Sequence, residues 1–222
     1  AAMMHYHATP EDHAVLEKKG FLLVDSGATY MDGTTDITRT YPLGPLTEDE
    51  KRFYTWTLQS HIDLAKAVWL DYCECKMIDT IAREPLWRHL INYRCGTGHS
   101  VSFVGNVHEG PHALNSRNTT RMRPGMVVTD EPGVYETDLV GIRIENELVC
   151  IHKADNQYGT FLGFEPLTFV PIATSPILPG VLDKDEIAWL NDYHRQVFAK
   201  LAPHLNDEER SWLAEKCAAI GC

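Results

Sequence analysis

Two apolar, β-rich runs, MVVTDEPGVY (residues 126–135) and GIRIENELVCI (residues 141–151), carry carboxylates where a strand would bury them. An ionised side chain taken out of water loses its hydration, so Glu131 and Glu145 each demand a hydrogen-bond donor, a cation or a metal. The runs flank a short turn and can pair antiparallel across it. Asp25, at the end of the run FLLV, raises the same demand, and Asp36 follows eleven residues later in a similar setting.

Gathered together, these four acids would repel one another: unit charges about 4 Å apart cost about 4 kcal/mol at an effective dielectric near 20. Two divalent cations would cancel the four charges. With His99 added as a neutral imidazole, the set becomes four oxygen ligands and one nitrogen. Such a set suits Mn²⁺ or, depending on availability, Co²⁺, Zn²⁺ or Fe²⁺, whereas Mg²⁺ would make less use of the imidazole. Taken singly, each residue has a plainer reading. An Asp after a strand is a turn former and a His a hydrogen-bonded surface group, while Glu145 could form an ion pair with Arg143, two residues away on the same strand face.

The rest of the chain supplies a core around such a site. With 222 residues, 44% of them apolar, one sizeable domain spanning residues 1–222 can be buried without disulfide or metal support. A formal charge of -11 disfavours nucleic acid and anionic membrane surfaces as partners. The six cysteines are scattered, and Cys73-Glu-Cys75 is too tight for the usual CxxC spacing, which points to free thiols and a cytoplasmic location. Neither a long apolar run nor a cleavable leader is present, and the first residue is not Met, so the natural start is expected to lie upstream.

Residues 20–41 alternate short β-branched runs with Gly-containing turns and read as a β-meander. Thr47 and Glu50 form a capping box before a helix whose Phe53, Trp56, Ile62, Ala65 and Trp69 recur at helical spacing. A second helix is expected over 76–91, breaking or restarting at Pro85. After the two acid-bearing runs comes a strand near LGFEPLTFVPI. A helix near 183–201 follows, then a last helix, ERSWLAEKCAAI, capped by Asn206 with Glu209. The order β, α, α, β, α, α indicates an α+β fold with a helical C-terminal extension from about residue 183.

The segments VDSGATYMDGTTDITRT, GTGHSVSFVGNVHEGP, TDEPGVY and GIRIEN, in that order, resemble the "pita-bread" metallopeptidases, and among them the cytosolic aminopeptidase P (Xaa-Pro aminopeptidase) type. The resemblance implies a curved antiparallel sheet covered by helices and a dinuclear metal centre. Its ligands would be Asp25, Asp36, His99, Glu131 and Glu145, with Asp36 and Glu145 bridging, Asp25 on one ion, and His99 and Glu131 on the other. It also implies hydrolysis of the bond between an N-terminal residue and a following proline by a hydroxide shared between the ions. Glu131 would orient or deprotonate that water. His5 in HYHATPE and His108 in NVHEGP would bind the peptide and stabilise its tetrahedral intermediate, and Arg143 would contribute to substrate binding. His7, His13 and His112 are expected to be surface histidines or to support the site from outside the ligand set. A prolidase-like dipeptidase and a catalytically weak peptide- or protein-binding relative remain the alternatives.

The sequence departs from that family in two places. Where relatives read HGTGHGVG, this chain reads CGTGHSVS, with Cys95, Ser100 and Ser102 replacing His, Gly and Gly. A thiol cannot act as an imidazolium, and a Cβ strains any backbone that needs positive φ. As a nucleophile Cys95 would need an adjacent base. Relatives also carry further elements before the HY motif, so the chain is expected to be N-terminally incomplete, with apolar faces left exposed or covered by another chain, a homodimer included.

Overall fold

The structure is a computed structural model that describes residues 4–221. Strands β1 (Phe21–Tyr30) and β2 (Gly33–Pro42) form one antiparallel hairpin in place of the expected meander, and Gly33 takes the turn at φ 145°. The capping box of Thr47 and Glu50 forms as the sequence indicates and starts α1 (Glu48–Ala65). This helix stops short of the expected Trp69. Its C-cap is Lys66, and Val68–Leu70 extends as β3, because an apolar triplet with β-branched Val68 and aromatic Trp69 gains more by pairing in a sheet that buries Trp69 than by another helical turn.

Helix α2 (Cys75–Trp87) runs through Pro85 without breaking, and ends four residues earlier than expected. Proline there removes one hydrogen bond, to the Ile81 carbonyl, and burial of Ile78, Ala82, Pro85 and Leu86 outweighs that loss. The helix ends in a Schellman arrangement, with Ile91 N donating to Leu86 O and Leu90 N to Trp87 O; Leu90 holds φ 59° where glycine is usual.

Next come the short strands β4 (Gly98–His99) and β5 (Ala113–Leu114), which pair with each other and were not read in the sequence. The two acid-bearing runs become β6 (Val127–Asp130), β7 (Gly133–Glu136), β8 (Val140–Arg143) and β9 (Asn146–Asn156), followed by β10 (Gly159–Pro166). The residues LTFVPI after β10 are not a strand. The chain closes with α3 (Lys184–Leu201), a 3-10 turn over Ala202–His204 and α4 (Asp207–Lys216), each helix opened by a capping box. Helix α4 ends before the expected Ile220.

One antiparallel sheet has the order β3-β10-β9-β6, and its inner face packs with α1 and α2 around Leu64, Ile78, Leu114, Leu148 and Leu162. A second core joins α1, β8, α3 and α4 through Leu58, Ile142, Leu190, Tyr193 and Leu213. The pairing that matters most lies between the two runs. Asp130 faces Asn146 in one ladder and Gly133 faces Arg143 in the next, which is a single register with two rungs missing. Glu131 and Glu145 stand opposite each other in that gap. Pro132 offers no donor to close it.

Candidate metal centre

The missing rungs are replaced by bonds to β2 and to the loop before β4. Glu145 N donates to Thr38 O on β2, two residues from Asp36, and Glu131 N donates to Thr97 O, two residues from His99. Each acid in the gap is thus bound through its backbone to the segment that carries another candidate ligand. Within the hairpin, Asp25 faces Thr38 and Gly27 faces Asp36, which places both aspartates on one face, diagonal to each other.

The loop before His99 is fixed from α2. Arg83 donates to the carbonyls of Tyr93 and Cys95, both at 2.8 Å, while Asp79 accepts from the Thr97 hydroxyl. At Gly98 an added Cβ would lie 1.8 Å from the Thr129 carbonyl oxygen, so only glycine lets this strand lie on β6. The contact delivers His99 N to Thr129 Oγ1 at 2.9 Å. Gly98→Ala is therefore expected to cost about 1–3 kcal/mol of stability and to weaken divalent-ion binding, as read by chemical denaturation and calorimetric titration. An unchanged ion affinity would show that this packing does not set the position of His99.

Donor atoms of Asp36, His99 and Glu145 lie within 4.8 Å of one another. His99 Nε2 is 3.2 Å from Glu131 Oε1 and 3.5 Å from Asp36 Oδ2, and its Nδ1 sits 3.2 Å from the Ser100 carbonyl. Donation from Nδ1 to that carbonyl presents Nε2 to the carboxylates. Thr38 Oγ1 donates to Glu145 Oε2 at 2.6 Å, and Thr129 Oγ1 to Glu131 Oε1 at 3.0 Å. Glu145 Oε1, by contrast, is buried without any partner.

The electrostatics have the same cause as the crowding. Burial raises the Glu145 carboxyl well above its usual range, and the charges of Glu131 and Asp36 add to that. Burial works against a charged His99, but hydrogen bonds to Asp36 and Glu131 outweigh it and push the imidazole up to about 10. A cluster that raises a carboxyl and holds a proton on its imidazole is short of positive charge. The bare Glu145 oxygen, the neighbouring oxygens and the single imidazole together fit hard divalent ions.

Asp25 sits at the rim, its side chain 45% exposed, with Oδ2 2.6 Å from Arg143 Nη2. Arg143 therefore pairs with Asp25 and not with Glu145, because its guanidinium points across the gap to the hairpin. It also donates to Thr38 Oγ1 at 2.9 Å and to the Tyr135 hydroxyl, and its side chain is only 4% exposed. The ring of exposed His108 lies 3.8 Å from that of His99. His5 is exposed and makes no hydrogen bond to the cluster among the described residues.

At the altered positions, neither Ser100 nor Ser102 is among the described residues with positive φ, so the added Cβ atoms strain nothing there. Cys95 Sγ lies 3.8 Å from the Gly133 carbonyl, and burial, followed by the charge of Glu131, raises its thiol pKa. Such a thiol is less readily ionised to the thiolate, the form that attacks an electrophile.

Several groups around the site escaped the sequence reading. Buried Asp130 lies 3.1 Å from His61 Nδ1, and burial pushes its carboxyl up to about 6 against the attraction of His61. Arg39 is buried among carbonyls around Glu145. Glu147 follows Glu145 by two residues, and burial and the charge of Asp36 push it up to about 7. His112, which the sequence left as a surface or supporting histidine, is buried. A polar residue at an apolar position is the one sequence signal that marks His61 and Glu147.

Residues 1–152 match the profile of Metallopeptidase family M24, and residues 160–220 that of the C-terminal region of peptidase M24. A probable Xaa-Pro aminopeptidase P from Coprinopsis cinerea is 41% identical over 99% of this chain and 36% of its own length. A crystal structure of the X-prolyl aminopeptidase from Caenorhabditis elegans, described as a cytosolic enzyme with a di-nuclear active site, superposes with a TM-score of 0.84 at 40% identity. That match covers 89% of this chain and 33% of the other. The prolidase from Pyrococcus furiosus superposes less closely, at a TM-score of 0.59 and 28% identity over 68% of this chain and 42% of its own. The chain thus spans about a third of the length of the aminopeptidases it matches.

Proposed function

Because this chain belongs to metallopeptidase family M24 and has its pita-bread fold, we propose that it is the catalytic portion of an Xaa-Pro aminopeptidase. It would hydrolyse the bond between a peptide's first residue and a following proline. The reading treats residues 1–222 as one catalytic unit with a helical C-terminal part. The observation that carries it is the interrupted rung, where Glu131 and Glu145 face each other with His99 and Asp36 against them and one Glu145 oxygen bare.

Asp25, Asp36, His99, Glu131 and Glu145 would hold two divalent ions, of which manganese suits the oxygen-rich set, with cobalt, zinc or iron acceptable by the same donor chemistry. Such ions supply a water acidified to near neutral pH and a Lewis acid for the scissile carbonyl. Glu131, whose Oε1 accepts from Thr129, would orient that water and accept its proton. Thr38 and Arg143 hold Glu145 and Asp25 in place. With its donors engaged on Asp25, Thr38 and Tyr135, Arg143 meets the peptide less readily than it orients Asp25. Exposed His108, against the His99 ring, would donate to charge developing on the carbonyl oxygen, and His5 is assigned to the peptide on its motif alone.

The better superposition on the X-prolyl aminopeptidase than on the prolidase favours the aminopeptidase over a dipeptidase. A cytoplasmic setting accords with the cytosolic description of the Caenorhabditis elegans enzyme, and no helix among the described residues is long and apolar enough to cross a membrane. The direct test is release of the first residue from an Xaa-Pro-Yaa tripeptide by the chain with added Mn²⁺, beside Asp36→Ala. Release that requires both the ion and Asp36 is the expected result. Two bound ions without release would make the chain a peptide-binding module, and cleavage restricted to Xaa-Pro dipeptides would make it a prolidase.

A further inference from the structure

The last closed rung before the gap pairs Asp130 on β6 with Asn146 on β9. Asp130 is followed by Glu131 and Asn146 is preceded by Glu145, so this rung lies directly behind both facing acids. A side chain from outside the sheet touches both of its members. His61 on α1 is fully buried; its Nδ1 lies 3.2 Å from the Asp130 carbonyl oxygen and its Nε2 3.3 Å from Asn146 Nδ2.

A third residue sets the direction of these bonds. Arg39 can only donate, and its Nη2 lies 2.8 Å from Asn146 Oδ1, so the amide gives its oxygen to Arg39 and turns its NH₂ to the imidazole. Nε2 must then accept, and Nδ1 carries the proton that it donates to the Asp130 carbonyl. Because that acceptor is a backbone oxygen, the bond does not depend on the charge of the Asp130 carboxyl. Trp189 of α3 packs edge-on against the ring, with centroids 5.9 Å apart and an interplanar angle of 80°, which limits its rotation.

An apolar residue at position 61 could fill the space between α1 and the sheet. What the imidazole adds is one bond to each of the two strands, placed where they part. Beyond that rung Glu131 N and Glu145 N donate to Thr97 and Thr38 instead of across the ladder. Resting on the reading of these acids as metal ligands, we propose that His61 is a positioning residue: it clamps the Asp130–Asn146 rung and so fixes the separation of Glu131 and Glu145. Groups that orient ligands from behind typically change ion affinity about tenfold to a hundredfold.

The first test needs no metal. In the metal-free full chain, amide hydrogen exchange followed by NMR should show the Glu131 and Glu145 N–H groups exchanging about tenfold faster in His61→Phe, which keeps a ring but removes both bonds. Amides of the β9–β10 ladder serve as the internal reference and should not change. His61→Asn, whose amide can still donate to the Asp130 carbonyl, should restore part of the protection, and it carries the test if the phenylalanine variant does not fold. Calorimetric titration with Mn²⁺ should then show binding weakened about tenfold to a hundredfold in His61→Phe and less in His61→Asn. Unchanged protection at Glu131 and Glu145 overturns the inference, and so does a loss that the reference amides share, since that is global destabilisation alone. Where the parent chain binds Mn²⁺, an unaltered affinity in His61→Phe overturns it as well. A selective loss of protection in a chain whose parent binds no divalent ion would support the clamp and fail the metal-centre reading alone.

Discussion

Glu145→Gln is expected to abolish binding of at least one divalent ion and to lower Xaa-Pro hydrolysis about a thousandfold or more, the equivalent of several kcal/mol of lost electrostatic stabilisation. The amide keeps the volume and can still accept from Thr38, but it cannot offer two anionic oxygens to neighbouring cations. The same substitution should raise the melting temperature of the metal-stripped protein. Glu145 is buried beside Glu131 and Asp36, which disfavours its ionised form, so a neutral isostere removes an unfavourable charge from the folded state. Each kcal/mol relieved corresponds to about 2–4 °C in a chain of this size. Calorimetric titration and thermal unfolding check the two halves. A variant that still binds two ions would remove Glu145 from the ligand set, and one that melts lower when stripped would refute the charge argument.

The second large effect lies outside the ligands. Arg39 is buried, pairs with no carboxylate among the described residues, and its donors go to Thr38 O, Glu145 O, Asn146 Oδ1, Val170 O, Pro171 O and the Tyr193 hydroxyl, at 2.5–3.1 Å. It joins the strand of Asp36 to the gap that holds Glu145 and to the segment before α3. Arg39→Met would leave those acceptors unpaired and is expected to cost about 3–5 kcal/mol. Arg39→Lys should recover only part of that, since one ammonium carries three donors in place of a five-donor fork. Denaturant unfolding measures the cost. A loss below about 1 kcal/mol, within the range of an ordinary surface change, would show that the fold does not depend on this network.

Local chemistry was legible where a few neighbouring residues decide the outcome. The capping boxes at Thr47 and Asn206 start their helices as read, because a cap is satisfied within four residues. The antiparallel pairing of the two acid-bearing runs was legible as well. The misread points were those where packing outweighs propensity: Trp69, drawn into a strand against β10, and Pro85, kept in a helix by the burial of its neighbours.

By itself the sequence determined the family, through ordered motifs, and the resemblance those motifs carry supplied the five candidate ligands. Tertiary structure alone decided how these residues meet. The rung left open between Glu131 and Glu145 is closed by donors to Thr97 and Thr38, and Arg143 turns to Asp25 instead of its sequence neighbour Glu145. Arg39, His112 and Glu147 acquire their settings from residues such as Val170, Val127 and Thr129 that are distant in sequence. Hydrogen bonds and charge interactions act through space over a few ångströms, and a linear pattern records which groups need partners but not which partners the fold brings to them.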